Sequence, residues 1–373
     1  MLLNAEQMLA HAPNQKIVKN KGLTLSPAGH RIWLSTPLSN KKDPHGDSMT
    51  ETLSAPRKLG FVSLFFLLLP ALAHAAAARP IVSVSSPGAG SSYAMPFRIA
   101  EEQNFYVDEG LDVRIVSGVR TATSVQMLVG GTVDATQTVG PTTLAAILRG
   151  VPLKIVMVFN DKPSYWLYSK KNIRSFAELK GSRISSSSPG STNDRLLKLV
   201  LERNGIDWKK DLQIIYIGTS DVVIRALLSG SIDAAVLSHP GNLIAKEAGY
   251  SQLATFENEV GALTGGVAVN ESFLTKRQDT AVRFLRATLK GLKYFRTNRE
   301  GSAKIMAKYM SLSHEAALKT HDASVPFYVT DGVISEEFQD KVLDFELKVI
   351  GTDKRISRDA VFDFSIMKSL AAR

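Results

Sequence analysis

The sequence predicts an α/β protein with two similarly built lobes. Two segments about a hundred residues apart, 126–135 and 225–234, share one pattern. Each reads as the end of an amphipathic helix, a glycine, a β-branched residue and a strand entered through Asp-Ala. Glycine suits such a helix end because it adopts positive φ without a Cβ clash. Two like lobes predict a cleft between them, where small ligands commonly bind.

The first lobe is predicted from apolar strands that alternate with helices. Period-two patterns and β-branched runs indicate the strands, and longer amphipathic stretches indicate the helices. Strands are expected at 81–84, 111–116, 131–136 and 153–159, and helices at 95–104, 121–129 and from Pro141 through Leu148. Strict alternation of the two element types favours mostly parallel strands.

The second lobe begins near Trp166, after the last strand of the first half. The predicted elements are a short helix at 175–181, strands at 183–186, 213–217 and 232–237, and helices ending at Arg203 and spanning 221–228. A strand at 265–269 would return to the first lobe, and a long basic helical stretch, 280–310, would wrap onto it. The predicted boundaries are therefore 76–162 with 266–373 for the first lobe and 163–265 for the second.

An export signal is predicted ahead of both lobes. Arg57 and Lys58 precede the apolar run 59–72, and Ala73-His74-Ala75 follows it. This is the order of a secretory signal peptide, which we place at 49–75 with cleavage after Ala75. The run is short for a membrane span. Residues 1–48 show no sustained period, so translation is expected to start at Met49, or 1–48 is a disordered extension.

Composition fits an exported globular protein. Of the 373 residues, 44% are hydrophobic and 21% are charged. Residues 1–75 hold 8 of the 45 basic and 4 of the 35 acidic residues, which leaves a formal net charge of +6 on the mature part. A positive balance favours anionic ligands or surfaces. No basic run interleaved with aromatics supports nucleic-acid binding.

The chain has no cysteine. Thiolate catalysis, iron–sulfur clusters and zinc–thiolate sites are therefore excluded, and so is lipid attachment at a processed N-terminal cysteine. The histidines beyond the predicted signal, His239, His314 and His321, do not have the spacing of a metal motif. No cofactor, metal site or catalytic residue is predicted.

The combined pattern resembles a type II solute-binding protein of an ABC importer, closest to the nitrate/sulfonate/taurine-type family. The resemblance rests on the run 99–113, the repeated Gly-x-x-Asp-Ala, the segment 176–181 and the segment 281–289. It implies a periplasmic monomer that captures a small solute between its lobes by hinge closure. It also implies delivery of that solute to an inner-membrane permease, with no nucleic-acid partner.

Candidate ligand contacts are predicted where strands end and helices begin. In α/β lobes ligands lie beyond the carboxyl ends of the strands. The Ser-rich loop 187–192 is favoured because Ser191 and Asp194 resemble a capping box, and the amides at a helix N-terminus bind anions. The complete candidate set is Ser91, Ser92, Tyr93, Thr138, Gly140, Pro141, Ser187, Ser188, Gly190, Ser191, Thr192, Ser238 and His239. His239 could instead serve only as a turn residue, and Tyr165 and Trp166 fit hinge packing better than ligand stacking.

Two other classes of function stay open. The same lobed fold serves enzymes, including a pyrimidine-synthesis family that this chain resembles but whose cysteine-rich iron segment it lacks. No Gly-x-Ser-x-Gly elbow occurs among the Ser-rich loops. A periplasmic sensor domain is the third class. The ligand itself, whether sulfonate, nitrate, carboxylate, aromatic acid or pyrimidine, is not specified by the sequence.

Overall fold

The computed structural model describes residues 78–86, 90–259, 262–350 and 355–372, which belong to one compact unit. The predicted extension at 1–48 and signal peptide at 49–75 lie outside the described residues. The strands are β1 Ile81–Ser86, β2 Asp112–Ser117, β3 Ala135–Thr136, β4 Leu153–Val158, β5 Trp166–Ser169, β6 Arg183–Ser186, β7 Gln213–Tyr216, β8 Ala234–Leu237, β9 Ser251–Thr255 and β10 Gly266–Asn270.

The helices lie between and after these strands. They are α1 Met95–Glu102, α2 Phe105–Asp108, α3 Thr121–Val129, α4 Pro141–Leu148, α5 Thr192–Arg203, α6 Ser220–Leu228, α7 Gly241–Glu247, α8 Glu271–Lys276, α9 Gln278–Thr297, α10 Arg299–Met310, α11 His314–Ser324, α12 Glu336–Ile350, α13 Arg358–Val361 and α14 Ser365–Ala371. Short 3-10 helices occupy Ser92–Ala94, Ala177–Leu179 and Val325–Phe327. Within the described part of the chain, no helix combines the length and apolar character that crossing a bilayer needs.

The strands form two five-stranded sheets of equivalent order. The first sheet runs β2-β1-β3-β10-β4, and the second runs β7-β6-β8-β5-β9. In each sheet the first three strands are parallel, and the fourth is antiparallel to its neighbours. The predicted α/β architecture with two like lobes is therefore confirmed. We call the first sheet with its helices the first lobe, and the second sheet with α5–α7 the second lobe.

The repeated Asp-Ala has the same structural role in both lobes. Asp134 and its neighbouring strand residue Ser83 exchange two bonds: the Asp134 N–H donates to the Ser83 carbonyl at 2.8 Å, and the Asp134 carboxylate accepts from the Ser83 N–H at 2.9 Å. Asp233 pairs with Arg183 in the same way, at 2.8 and 2.9 Å. The aspartate thus fixes the start of one strand against the adjacent parallel strand.

The strands that follow Gly131 and Gly230 are shorter than predicted. β3 and β8 begin at Ala135 and Ala234, because the preceding residues turn the chain out of the helix. Gly131 and Gly230 adopt φ of +71° and +76° at that turn, as the glycine pattern predicts. Val133 and Ile232 are buried but precede the strands.

The long C-terminal helical stretch is divided in two. α9 ends at Thr297 and α10 begins at Arg299, because the Asn298 side chain accepts from the Gly301 N–H at 2.9 Å and starts a new helix. The predicted short helix at 175–181 is a single 3-10 turn. The lobe boundaries stay a prediction; the structure has the chain change sheets between β4 and β5 and between β9 and β10.

Apolar clusters cover both faces of each sheet. In the first lobe, Phe97 on α1 stacks on Phe284 of α9 and meets Phe159 edge to face. Gly291 of α9 lies against the α1 backbone, where an added Cβ would stand 2.1 Å from the Pro96 carbonyl oxygen. In the second lobe, Leu196, Leu197 and Leu201 of α5 are buried in the corresponding position. These cores hold the strand ends at fixed positions around the cleft.

Candidate functional site

The carboxyl ends of strands from both sheets meet at one cavity of about 190 Å³. Its lining comes from the loops after β1, β2 and β3 in the first lobe and after β6, β7 and β8 in the second. The lining residues are Gly90, Ser91, Tyr93, Gly118, Val119, Arg120, Thr121, Gln137, Thr138, Gly140, Pro141, Tyr165, Ser187, Ser188, Ser191, Thr192, Asn193, Gly218, Thr219, Ser220, Ser238 and Thr264. We refer to this cavity as the cleft.

Four helices begin at the cleft: α3 and α4 from the first lobe, and α5 and α6 from the second. In none of these four does the N-cap side chain accept a hydrogen bond from the first turn. The amides of a first helical turn lack intrahelical acceptors and carry partial positive charge. Their convergence makes the cleft a suitable environment for anionic oxygen atoms.

Two of the contacts between the lobes beside the cleft involve small side chains. At Gly140 an added Cβ would lie 2.5 Å from Thr192 Oγ1 and 2.9 Å from the Leu263 carbonyl oxygen. Glycine is needed there because the start of α4 passes directly over the start of α5. At the second place, Ser238 Oγ lies 3.4 Å from Ser91 Oγ and 3.3 Å from Ser220 Oγ. Both contacts are made by cleft-lining residues.

Three buried hydroxyls of the cleft lining, on Thr138, Ser188 and Thr264, lack partners among the described residues. Thr138 and Ser188 are 6% and 5% exposed, and neither hydroxyl is hydrogen-bonded. Leaving a buried hydroxyl without a partner costs about 1–3 kcal/mol. Since Thr138 precedes α4 and Ser188 precedes α5, these hydroxyls flank the contact between the two helix starts. They are available to donate to a bound group.

The loop before α5 is held by Asp194 in a manner that differs from the predicted capping box. Ser191 is the N-cap, but its hydroxyl lies within donating distance of two acceptors other than the helix amides, the Ser188 carbonyl at 2.7 Å and Asn193 Oδ1 at 2.6 Å. The Asp194 carboxylate is fully buried and accepts from the Gly190 N–H, Lys198 and the Tyr216 hydroxyl at 2.8–2.9 Å. The loop is thereby pinned from within the second lobe.

Two tyrosines supply the aromatic surface of the cleft. The Tyr93 and Tyr165 rings lie 5.6 Å apart at 48°. The Tyr93 hydroxyl accepts from the Ser164 N–H and hydroxyl at 3.0 and 2.7 Å, and burial raises its pKa. Gln137 fixes the Tyr93 backbone by donating to its carbonyl at 2.5 Å. The tyrosine is therefore a neutral, immobile wall at physiological pH.

Arg120 is the charged residue of the described lining, and aspartate, glutamate, lysine and histidine are missing from that lining. It is exposed and serves as the N-cap residue of α3. The described residues also hold no group of three or more histidine, aspartate or glutamate side chains that could bind a metal ion. The electrostatic character of the cleft is therefore positive.

Most of the predicted candidates lie together in the cleft. These are Ser91, Tyr93, Thr138, Gly140, Pro141, Ser187, Ser188, Ser191, Thr192 and Ser238. The structure places Ser92, Gly190 and His239 outside the lining. The Ser92 carbonyl accepts from the Tyr328 hydroxyl at 2.6 Å, and the Gly190 N–H is taken by Asp194.

His239 lies behind the cleft, in the interior. Its ring is 4.6 Å from that of Trp166 and 6.0 Å from that of Phe327, and 2% of the residue is exposed. Burial lowers its pKa to about 4, so the imidazole is neutral at pH 7. This environment favours a structural role for His239 over contact with a ligand. Trp166 packs as predicted, whereas Tyr165 reaches the cleft.

The candidates selected from the sequence did not include the loops after β2 and β7, which are edge strands of the two sheets. Gly118–Thr121 follows β2 and Gly218–Ser220 follows β7, and both line the cleft. Their signal was a glycine within two residues of the end of each predicted strand. Two other arginines at helix or strand positions are engaged elsewhere: Arg98 bonds Glu101, and Arg183 bonds Asp233. Arg120 could have been found by asking which basic residue starts a helix at a strand end.

The sequence matches the family described as NMT1/THI5-like over residues 91–301, a span that contains the described lining apart from Gly90. The chain belongs to the NMT1/THI5-like family.

Two curated relatives are similar over shorter spans. A Haemophilus influenzae protein that carries a thiamine-biosynthesis name is 26% identical over 140 residues, 37% of this chain and 43% of its own length. The binding protein YtlA of Bacillus subtilis, so named, is 25% identical over 209 residues, 54% of this chain and 62% of its own length. The chain thus spans about half the length of the curated relatives that it matches.

Solved structures share the fold across most of the chain. A protein from Bordetella bronchiseptica RB50 superposes with a TM-score of 0.69 at 22% identity, covering 78% of this chain and 97% of that one. The alkanesulfonate-binding protein SsuA from Xanthomonas axonopodis pv. citri gives 0.62 at 18%, covering 77% and 99%. The periplasmic nitrate-binding protein NrtA from Synechocystis PCC 6803 gives 0.61 at 15%, covering 78% and 88%. The predicted periplasmic-binding-protein fold is confirmed.

Proposed function

We propose that this protein is the solute-binding component of an ABC importer and that it captures a small organic anion in the cleft. The convergence of four helix N-termini from both lobes on a cavity with an arginine and without a described carboxylate carries this proposal. Such an arrangement stabilises negative charge through backbone amides and the helix dipoles. A small anion filling this space would contact both lobes at once.

The chemistry of similarly folded proteins agrees with an oxyanion ligand. SsuA is an alkanesulfonate-binding protein, and NrtA is a nitrate-binding protein. Alkanesulfonates and nitrate are small anions with planar or tetrahedral oxygen groups, which suit amide and hydroxyl donors. For this chain, sulfonates, carboxylates and nitrate are the proposed classes.

Capture would proceed by hinge closure. The chain changes sheets in two segments, between β4 and β5 and between β9 and β10, which makes a hinge at one side of the cleft. A ligand that bonds loops of both lobes binds the closed state more tightly than the open state, and therefore shifts the equilibrium towards closure. An inner-membrane permease would recognise the closed monomer in the periplasm, which the signal-peptide pattern at 49–75 supports.

An enzyme on this fold is the second candidate, since the desulfurization enzyme DSZB superposes with a TM-score of 0.60 at 15% identity. Hydrolytic or transfer chemistry needs a base to activate a hydroxyl nucleophile. The described lining offers serine and threonine hydroxyls but no histidine, carboxylate or lysine. The cleft chemistry therefore favours binding over turnover.

A thermal-shift screen of the full chain tests the proposal. The protein is unfolded and refolded to remove any carried-over ligand, and then scanned with alkyl sulfonates, nitrate, aromatic carboxylates and pyrimidines. A ligand at a hundred times its dissociation constant adds about 2.7 kcal/mol to the free energy of unfolding. We expect a shift with at least one organic anion, recovered unchanged after incubation. Consumption of that compound would favour the enzyme, and no shift with any anion would contradict the proposal.

A further inference from the structure

The cleft has two polar ends that differ in chemistry. At one end, the starts of α4 and α5 meet at Gly140 and Thr192, flanked by the unpartnered hydroxyls of Thr138 and Ser188. At the other end are the loops after the edge strands, with Arg120 among them. Each end receives residues from both lobes.

The two ends are separated by the width of the sheet between them. Arg120 follows β2, and Thr138 follows β3, with β1 lying between these strands. Adjacent strands lie about 4.8 Å apart, so the two loops leave the sheet about 10 Å from each other. A ligand whose single anionic group binds at the α4–α5 contact would place no negative charge beside the Arg120 guanidinium.

Arg120 is free to contribute to binding. Its side chain is exposed, and Asp221, in the first turn of α6, is already engaged by the Thr219 hydroxyl and by Arg225 at 2.9 Å. A guanidinium that lines a cavity can bond a carboxylate or sulfonate through two parallel N–H groups. Arginine is therefore suited to a second anionic group.

Between the two ends the wall is aromatic. Tyr93 and Tyr165 line the cleft, and Tyr93 is held in place through Ser164 and Gln137. Rigid rings of this kind favour an apolar or aromatic body that packs on their faces.

From this arrangement we infer that the ligand carries two acidic groups at opposite ends of a short apolar body. One group binds at the α4–α5 contact through amides and the Thr138 and Ser188 hydroxyls, and the other binds Arg120. This inference rests on the proposed function and goes beyond it, because it makes Arg120 the residue that selects dianions over monoanions.

Matched ligand pairs test the inference by calorimetry on the full chain. Three pairs differ only by the second acid: benzoate and terephthalate, 1-propanesulfonate and 3-sulfopropanoate, and butyrate and glutarate. In at least one pair we expect the dianion to bind about tenfold more tightly than its monoanion, the value of one charge-assisted hydrogen-bond pair. R120Q should reduce that preference to about threefold or less, and R120K should restore part of it.

Arg149 provides the control, because it is an exposed arginine at the opposite end of α4. R149Q removes the same charge from the same lobe and should keep the dianion preference. Equal affinity within all three pairs, or a preference that R120Q leaves intact, would overturn the inference while monoanion binding still supports the proposed function. If no member of any pair binds, the inference fails, whereas the proposed function is decided by the wider thermal-shift panel, which includes nitrate.

Discussion

The interior of the first lobe and the contact between the lobes are built from different materials. Within the lobe, α1 and α9 touch along apolar side chains, and Gly291 admits the neighbouring backbone with no space to spare. Between the lobes, the contacts include hydroxyl pairs such as Ser91 with Ser238 and an ion pair in which Arg195 lies 2.6 Å from Glu346, together with aromatic packing of Trp166 on Phe327. Separating the apolar contacts loses their stabilising free energy, whereas the polar groups can exchange their partners for water when they part.

This difference indicates where the molecule can move. Apolar contacts separated in water cost free energy in proportion to the area exposed, so the lobes are expected to move as rigid units. Polar groups at the interface recover hydrogen bonds from solvent when they part. Opening is therefore inexpensive at the cleft and expensive within a lobe.

The largest effects are expected from glycine-to-alanine substitutions, one made within the first lobe and one at the contact between the lobes. G291A places a methyl group 2.1 Å from the Pro96 carbonyl and should lower the free energy of unfolding by about 2–3 kcal/mol, with affinity for the best-binding anion of the screen unchanged. G140A places one against Thr192 and Leu263 and should weaken that affinity about tenfold, with unfolding changed by less than about 0.5 kcal/mol. Urea denaturation and calorimetry measure the two quantities.

K293A provides the control for both variants, because Lys293 is exposed on α9 and should change neither quantity. A G140A protein that unfolds as easily as G291A would show that the contact between the lobes is part of the permanent core. That outcome would remove the distinction between the two regions.

The ion pair between α5 and α12 sharpens the comparison. Glu346 has 1% of its side chain exposed, so R195M would leave a buried carboxyl group without its cation in the closed state. We expect R195M to weaken affinity for the same anion about fivefold, because an open state can solvate the carboxylate. E346Q, which retains an acceptor for Arg195, should weaken it less. Equal affinity in the wild type and R195M would show that this pair does not contribute to closure.

Glu346 also predicts a pH dependence. Burial raises its pKa, and Arg195 opposes this only in part. A carboxyl group with a raised pKa in the folded state contributes stability below its ordinary pKa and loses that contribution as the pH rises through the folded-state value. Relative to E346Q, the wild type should therefore lose stability from pH 4 upwards in urea denaturation. A difference that stays constant with pH would contradict this assignment.

A further comparison, between the two lobes, concerns their paired aspartates. Asp233 bonds Arg183 and Lys170, whereas Asp134 bonds Ser83 and Arg277. Removing the more heavily paired group should cost more, about 2 kcal/mol for D233A against about 1 kcal/mol for D134A in urea denaturation. Burial raises the pKa of Asp233, but the bonds from Arg183 and Lys170 lower it below its ordinary value. Its contribution is present above the ordinary pKa and disappears on acidification. The difference between D233A and the wild type should shrink as the pH falls below 4, and a constant difference would rule this out.

Much of the fold followed from local patterns. The Gly-x-x-Asp-Ala repeat identified two equivalent units, because glycine at positive φ and an aspartate bonded to the next strand are local requirements. The same patterns located the loop 187–192 and the turn at Gly140. Strand bounds were less accurate, since Val133 and Ile232 are apolar for burial in a turn rather than for a place in the sheet.

The remainder depends on positions that are distant in sequence. Whether β2 and β7 are edge strands depends on the order of all five strands, so the local signals in the loops containing Arg120 and Gly218 do not by themselves place these loops beside Thr138 and Ser188. His239 looked like a strand-end ligand, but Phe327, far along the chain, encloses it.

The order of strands has a consequence for how the polypeptide acquires its structure. The second sheet is built from a continuous stretch, β5 to β9, whereas β4 of the first sheet pairs within that sheet only with β10, more than a hundred residues downstream. Local contacts form faster than distant ones. The second lobe can therefore fold before β4, a nearly uninterrupted apolar strand, has paired with β10. During synthesis, that apolar strand remains without its sheet neighbour until β10 has been made.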